Sequence, residues 1–528
     1  MKSIVKKDNF NTRTPFVVNP NAEIDVLKNR ITELEALVKY YEEQFRLAKH
    51  KQFGTSSEKS EYDVDQINLF NEAETTSDKN IPEPELVEVE KHYRKRKSSA
   101  SDRLQEDLPV EVIEHKLPPD GQLCGECGEA LHVMGHEVRR ELVIIPAQAK
   151  IVEHNQHIYS CRNCAKKSDH VPIVKAEMPE PVIKGSFASA ESVAHIMAQK
   201  FVMSVPLYRQ EQEWNRQGIM LSRQTMSNWL IRCAEDWLKP IYKRLKEELV
   251  KRDVLHGDET VLQVLHEPGK TAQQKSYMWM YRTSGDTNKS IVLYEYQPDR
   301  KWERPEAFLK GFSGYLHADG YDGYHNLPAN ITVVGCWAHM RRKYDEALKA
   351  LPEKDREGCG AMTGKRYCDR LFELEREFAE MKSTERHQKR SELSKPIVDE
   401  FFKWAENLNA LPKSLLGQAT QYALNQRVYL ERLLLDGRLE LSNNRAERSI
   451  KPFVIGRKNW LFNNTVNGAK SSSIIYSIIE TAKENHLKPF EYLVWLLQTV
   501  PNTSTGKIGD LLPWSEGVPD SCRSPRDL

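Results

Sequence analysis

Three short stretches of this chain each place one carboxylate at the end of a strand-like or helix-like element: Leu255-His256-Gly257-Asp258-Glu259-Thr260, Leu316-His317-Ala318-Asp319-Gly320-Tyr321 and Ser442-Asn443-Asn444-Arg445-Ala446-Glu447-Arg448. Carboxylates are the hard oxygen ligands that Mg²⁺ takes. Three of them can hold two ions roughly 3.5–4 Å apart, one to activate an attacking oxygen and one to stabilise a leaving oxygen when phosphodiesters are cut and joined. Asp258, Asp319 and Glu447 are the candidate catalytic residues, with two Mg²⁺ as cofactor.

Plainer explanations exist for each. With Asn444 as N-cap, Glu447 falls at N3, the acidic position of a capping box, and Lys451 one turn later is an ion-pair partner. Asn444, Glu447 and Lys451 share one helical face, so a ligand can also lie beside groups that touch DNA. Both strand acids follow a Leu-His-x-Asp pattern, and period-two geometry sets His256 and His317 on the faces of their aspartates. A hydrogen-bonded structural histidine is the better reading of each. Alternation turns Glu259 away from Asp258, and Asp322 lies further into a Gly-rich turn, so both are weaker ligands.

The elements that must position these acids follow from alternation. Strands are predicted at Val254 to Leu265, Tyr277 to Thr283, Ser290 to Tyr296, Tyr315 to Ala318 and Ile331 to Gly335, with a helix near 303–310. Three antiparallel strands, a helix and two more strands describe a ribonuclease H-like order. Asp258 then lies on the first strand and Asp319 just past the fourth. Residues 350–435 are charged and helical in pattern, an all-α insertion ahead of Glu447. Upstream, Ser222 is an N-cap signal for a helix with an apolar face at Met226, Trp229 and Leu230. It reads either as a helical connector or as the recognition helix of a helix-turn-helix, with Arg223, Gln224, Thr225 and Asn228 reaching bases or phosphates.

Asp-Glu-Thr, Asp-Gly-Tyr-Asp-Gly-Tyr-His, Ser-Asn-Asn-Arg-Ala-Glu-Arg-Ser-Ile-Lys-Pro and Gly-Arg-Lys-Asn-Trp-Leu-Phe, in that order, resemble the transposases of the insertion sequence 66 family. The resemblance covers nearly the whole chain. It implies a ribonuclease H-like catalytic domain with Asp258, Asp319 and Glu447 as its Asp, Asp, Glu triad, and it favours DNA binding for the helix after Ser222.

The chain has 528 residues, too many for one core, with 77 basic against 76 acidic side chains. Near balance excludes a strong global pull on nucleic acid, so affinity must come from clusters. Arg445, Arg448, Lys451, Arg457 and Lys458 form one around Glu447, while the basic run at 91–97 reads as solvated chain. No segment has the apolar length of a signal peptide or membrane span, which predicts a cytoplasmic protein without membrane contact. Nine cysteines without an export signal argue against a disulfide framework.

Ile24, Leu27, Ile31, Leu34, Val38, Tyr41, Phe45 and Ala48 alternate at spacings of three and four, a heptad seam. It predicts a coiled coil that pairs chains; an amphipathic helix packed on its own domain is the alternative. Cys124-Gly-Glu-Cys127 and Cys161-Arg-Asn-Cys164 flank β-rich sequence and read as a zinc ribbon, four thiolates closing one structural site. The interval exceeds the roughly 15–20 residues common between such knuckles, which a longer hairpin explains, and His132, His136, His154 and His157 are substitute ligands. Cys336 and His339 could hold a second metal with Cys359 and Cys368, though ordinary burial fits the loose spacing better.

The expected fold is multidomain α/β: a coiled-coil helix at 20–60, a flexible linker at 61–108, a zinc ribbon at 109–178 and a helical DNA-binding domain at 179–250. The catalytic domain then spans 251–349 and 436–480 around the insertion, with a helical tail at 481–528. The expected function is Mg²⁺-dependent cleavage and strand transfer at the terminal repeats of an insertion sequence, by a homo-oligomer acting on element and target DNA. A need for accessory proteins of the same element stays open. A non-catalytic DNA-binding regulator and a ribonuclease H-like nuclease are the alternatives.

Overall fold

The computed structural model describes Val38 and residues 149–160, 173–503 and 505–524. The four cysteines of the predicted ribbon lie outside them, as does the heptad seam apart from Val38, which is helical and exposed. The described residues fall into two units, a small one holding residues 149–160 and 173–176 and a larger one from 177 onward. In the smaller unit β1 (Ile158–Ser160) pairs antiparallel with β2 (Ile173–Lys175).

The larger unit opens with helices. α1 (Ala190–Met197) starts in a capping box, Ser189 and Ser192 each accepting from the other's backbone N–H. α2 (Leu207–Arg216) follows Pro206, and the turn out of it passes through Gly218, whose φ of +78° favours glycine. α3 (Arg223–Cys233) is capped by Ser222 and buries Met226, Trp229 and Leu230, the predicted apolar face. α4 (Lys239–Leu249) buries Ile241, Leu245 and Leu249.

The sheet comes next: β3 (Val254–His266), β4 (Lys275–Thr283) and β5 (Val292–Gln297), then α5 (Glu303–Phe308), β6 (Gly314–His317), α6 (Asp322–His325) and β7 (Ile331–Val334). Their order is β5-β4-β3-β6-β7, with β4 antiparallel to both neighbours and β6 and β7 parallel to β3. Strands lie where alternation predicts them, except that β4 buries Met278, Trp279, Met280 and Tyr281 in succession because both its faces are covered.

A helical block then rises from the end of β7: α7 (Trp337–Lys349), α8 (Gly360–Glu377), α9 (Ser383–Lys389), α10 (Lys395–Asn407) and α11 (Leu415–Glu431). Trp337, Tyr344, Phe401, Phe402 and Leu430 fill its own core. α12 (Asn444–Trp460) brings the chain back to the sheet, and β8 (Asn463–Thr465) pairs parallel with the far end of β3, Asn463 opposite Val264. α13 (Val466–Glu484) packs on β5, with the hydroxyls of Ser477 and Thr481 accepting from Tyr294 and Val292 N–H. α14 (Pro489–Thr499) closes the unit. One continuous core runs from α1–α4 through the sheet to α12–α14.

Candidate active site

Register aligns the two strand acids. β3 and β6 run parallel with His256 opposite His317, so Asp258 and Asp319, each two residues further on, emerge side by side on one face. The two imidazoles stack at 4.5 Å between centroids and are fully buried. Burial lowers the pKa of His256 to about 4 and that of His317 well below its usual range. They are the neutral floor under the aspartates.

Glu447 arrives on α12, whose start is tied to β3 by Asn443. This side chain is buried; its Oδ1 lies 2.9 Å from His256 Nδ1, and its Nδ2 donates to Gly257 O at 2.8 Å. That assignment makes Nδ1 the protonated nitrogen of His256. Asn443 N–H donates to Cys336 Sγ at 3.1 Å, and its carbonyl accepts from Glu447 N–H at 3.1 Å. The N-cap is therefore Asn443, not Asn444. The amide serves the strand rather than the helix's free N–H groups, and Glu447 falls at N4 with Ala446 at N3. No capping box forms. The ion pairs of Glu447 run to Arg342 (3.3 Å) and His339 (3.6 Å) of α7 rather than to Lys451.

Burial pushes the carboxyl of Asp258 well above the usual range, and the charges of Glu259, Asp319 and Glu447 push it further. Glu447 Oε1 is buried without a hydrogen-bond partner. Crowded carboxylates of this kind fit hard divalent cations. As placed, no three His, Cys, Asp or Glu side chains among the described residues close a cage. Asp258 Oδ1 accepts from Glu259 N–H, Asp319 Oδ1 from Tyr321 N–H, and Glu447 leans on Arg342. Burial works to lower the pKa of His339, yet Cys336 and Glu447 raise it to about 9.

The rival acids are accounted for. Glu259 faces the opposite side of β3, bonded by Arg300 (2.7 Å) and the Tyr324 hydroxyl (2.7 Å). Asp322 is solvent-exposed near His325. Of the basic set, Arg445 is held by Glu440 at 2.7 Å, and Arg457 donates to Thr260 Oγ1 and Val261 O. Asn444 and Lys451 are half-buried; Arg448 and Lys458 are exposed. On α3, Gln224 and Asn228 are exposed, Thr225 Oγ1 meets the Ser222 hydroxyl, and Arg223 lies over the Tyr208 ring beside Glu211. Cys359 caps α8 and Cys368 is buried, so no second metal cluster forms with Cys336 and His339 among the described residues.

Sequence reasoning missed the roles of Asn443 and Glu440, and Arg342, which stands in the basic run Arg341-Arg342-Lys343, was not read as a partner of Glu447. Asn443 had a signal, the Asn doublet before the helix; the other two meet the site only through chain closure.

Four family models match the chain: the transposase IS66 family over 185–471, its zinc-finger binding domain over 122–165, the transposase C of IS166 homeodomain over 40–113 and the IS66 C-terminal element over 477–514. The zinc-finger match spans all four cysteines of the predicted ribbon. Two uncharacterized proteins of Sinorhizobium fredii, y4qI and y4hP, are 30% and 28% identical, covering 77% and 78% of this chain and 75% of each relative. The chain belongs to the IS66 family of transposases. Among the described residues no helix is long and apolar enough to cross a membrane.

Proposed function

We propose that the β5-β4-β3-β6-β7 sheet with α12 is a ribonuclease H-like catalytic core, in which Asp258, Asp319 and Glu447 hold two Mg²⁺ for cleavage and strand transfer at the ends of an insertion sequence. The observation that carries this reading is the convergence of charge at Asp258: two acids aligned by strand register and a third delivered by a helix anchored to the same strand. When bound, the ions would activate the attacking oxygen and neutralise the leaving one. The chain's own part is positioning. Asn443 fixes the distance from helix to strand, His256 and His317 keep the floor neutral, and Arg300 with Tyr324 engages Glu259 on the far face. In-line displacement needs little covalent chemistry from protein, so held geometry carries the rate. The zinc finger and the α2-turn-α3 pair, a helix-turn-helix in outline, are the readers of the terminal repeats. The N-terminal heptads pair chains.

The test uses labelled element ends, Mg²⁺ and a target plasmid. Asp258→Asn, Asp319→Asn and Glu447→Gln should each lower cleavage and strand transfer at least about a thousandfold, the scale of several kcal/mol of lost charge stabilisation, while binding to the ends is retained. Wild-type rates in Glu447→Gln would sink the triad.

A further inference from the structure

The segment Gly456-Arg457-Lys458-Asn459-Trp460-Leu461-Phe462 is unexplained by the carboxylate site, and it ends in a backbone conformation that its residues do not favour. Leu461 has φ 65° and ψ −52°, and Phe462 N–H bonds Trp460 O at 2.9 Å, closing a three-residue turn about a left-handed leucine. Glycine is the residue such a turn favours. Both turn residues are also apolar and in water, Leu461 62% and Phe462 41% exposed. The surroundings hold this arrangement in place. Trp460 packs edge-on against Phe453, and Asn463 is buried in the sheet opposite Val264. Between these clamps two hydrophobic side chains are pushed outward, against both local preference and solvation. Strain held by its surroundings marks a functional site more often than a defect.

The position of this tip says what it would meet. By helical periodicity Glu447, Lys451 and Lys458 lie along one face of α12, and the apolar tip follows directly after the helix's last residue, Trp460, so a line from the acid runs past two lysines toward the end that carries the tip. The thirteen helical steps from Glu447 to Trp460 (460 − 447) make that line about 20 Å long, the rise of about six base pairs of duplex. Arg457 ties the far end of α12 to Thr260 and Val261, further along the strand that carries Asp258.

We infer that Leu461 and Phe462 are a wedge that enters duplex DNA about six base pairs from the scissile phosphate and unstacks a base step there, while Lys451 and Lys458 follow the intervening backbone. This rests on the proposed DNA-cleaving function. Apolar side chains inserted at a base step open and kink a duplex, and an aromatic ring supplies a stacking face for the exposed base.

The experiment places 2-aminopurine at successive positions on both sides of the cleavage point in a duplex carrying the element end. The full-length protein is added with Ca²⁺ in place of Mg²⁺. Binding is read by anisotropy, and cleavage in parallel with Mg²⁺. A several-fold fluorescence rise is expected at one position about six base pairs away, absent with Leu461→Ala plus Phe462→Ala. That variant should bind normally, yet cleave roughly ten- to a hundredfold more slowly on paired DNA. A mismatch at the unstacked position should restore its rate, which a misfolded or merely weakened protein cannot show. The wedge is overturned if wild-type protein binds and cleaves with no unstacked position, or if the rise persists in the double variant. It is also overturned if that variant instead loses self-association by light scattering, which would make the tip a protein contact. If wild-type protein neither binds nor cleaves, the parent function fails together with it.

Discussion

Arg390 in the helical block and Glu447 at the sheet are charges held against the protein, the first fully buried and the second with its side chain 25% exposed, and they are treated in opposite ways. The guanidinium of Arg390 is fully buried, and its five N–H donors are directed at both oxygens of Glu375 and the carbonyls of Leu433, Asp436 and Leu439. At the sheet, Glu447 Oε1, His256 Nε2, His317 Nδ1 and His339 Nδ1 are buried without hydrogen-bond partners, Glu447 Oε1 and His256 Nε2 having only longer ionic contacts to His339 and Glu440, and the carboxyl of Asp258 is pushed up by three like charges. A complete polar network holds a fold together. An incomplete one beside crowded carboxylates fits the proposed metal site.

The contrast can be broken by experiment. Arg390→Ala removes the centre of the complete network and leaves Glu375 unpaired, so it should cost about 3–5 kcal/mol in urea denaturation; a loss below about 1 kcal/mol would make the network ornamental. Mg²⁺ should stabilise the wild-type protein by about 2.7 kcal/mol at a hundredfold excess over its Kd, with no matching gain for Asp258→Asn by calorimetry. Equal gains would place the ion elsewhere. Asn443→Ala strands the Nδ1–H of His256 and the Gly257 carbonyl and should cost about 1–3 kcal/mol, while cleavage falls further than stability as Glu447 loses its anchor. A purely structural Asn443 would leave the rate of the folded fraction unchanged.

The smallest effect has the opposite sign. Asp258 has a folded pKa above its unfolded one, so the stability linked to it is present below the unfolded pKa, ordinarily about 3.9, and is lost as pH rises through the folded pKa. In EDTA, Asp258→Asn should therefore melt higher than wild type at neutral pH and lack that loss. A lower midpoint across the whole range would mean that the carboxylate is a structural partner.

The strand acids were legible because the repeated Leu-His-x-Asp pattern and two-residue alternation fix both a face and a register. The sheet was legible for the same reason. Glu447 was found beside the wrong cap, since Ser-Asn-Asn offers two candidates and only tertiary contact with Gly257 and His256 selects Asn443. Strand β8 was missed because Asn463-Asn464-Thr465 has no apolar alternation; it exists because β3, at 13 residues, overhangs its other partners. The roles of Arg342 and Glu440 depend on which helix the block presents to the site, and no local pattern encodes that.

The tie between Asn443 and His256 joins residues 187 positions apart in sequence. A chain emerging from the ribosome at about 5–20 residues per second exposes both strand acids well before the third, and the whole helical block must be made in between. Loop closure over such a span comes late in folding. Under the proposed triad, an interrupted or truncated translation product would carry DNA-reading elements without a complete cutting centre, and could occupy the ends of its own element while leaving them uncut.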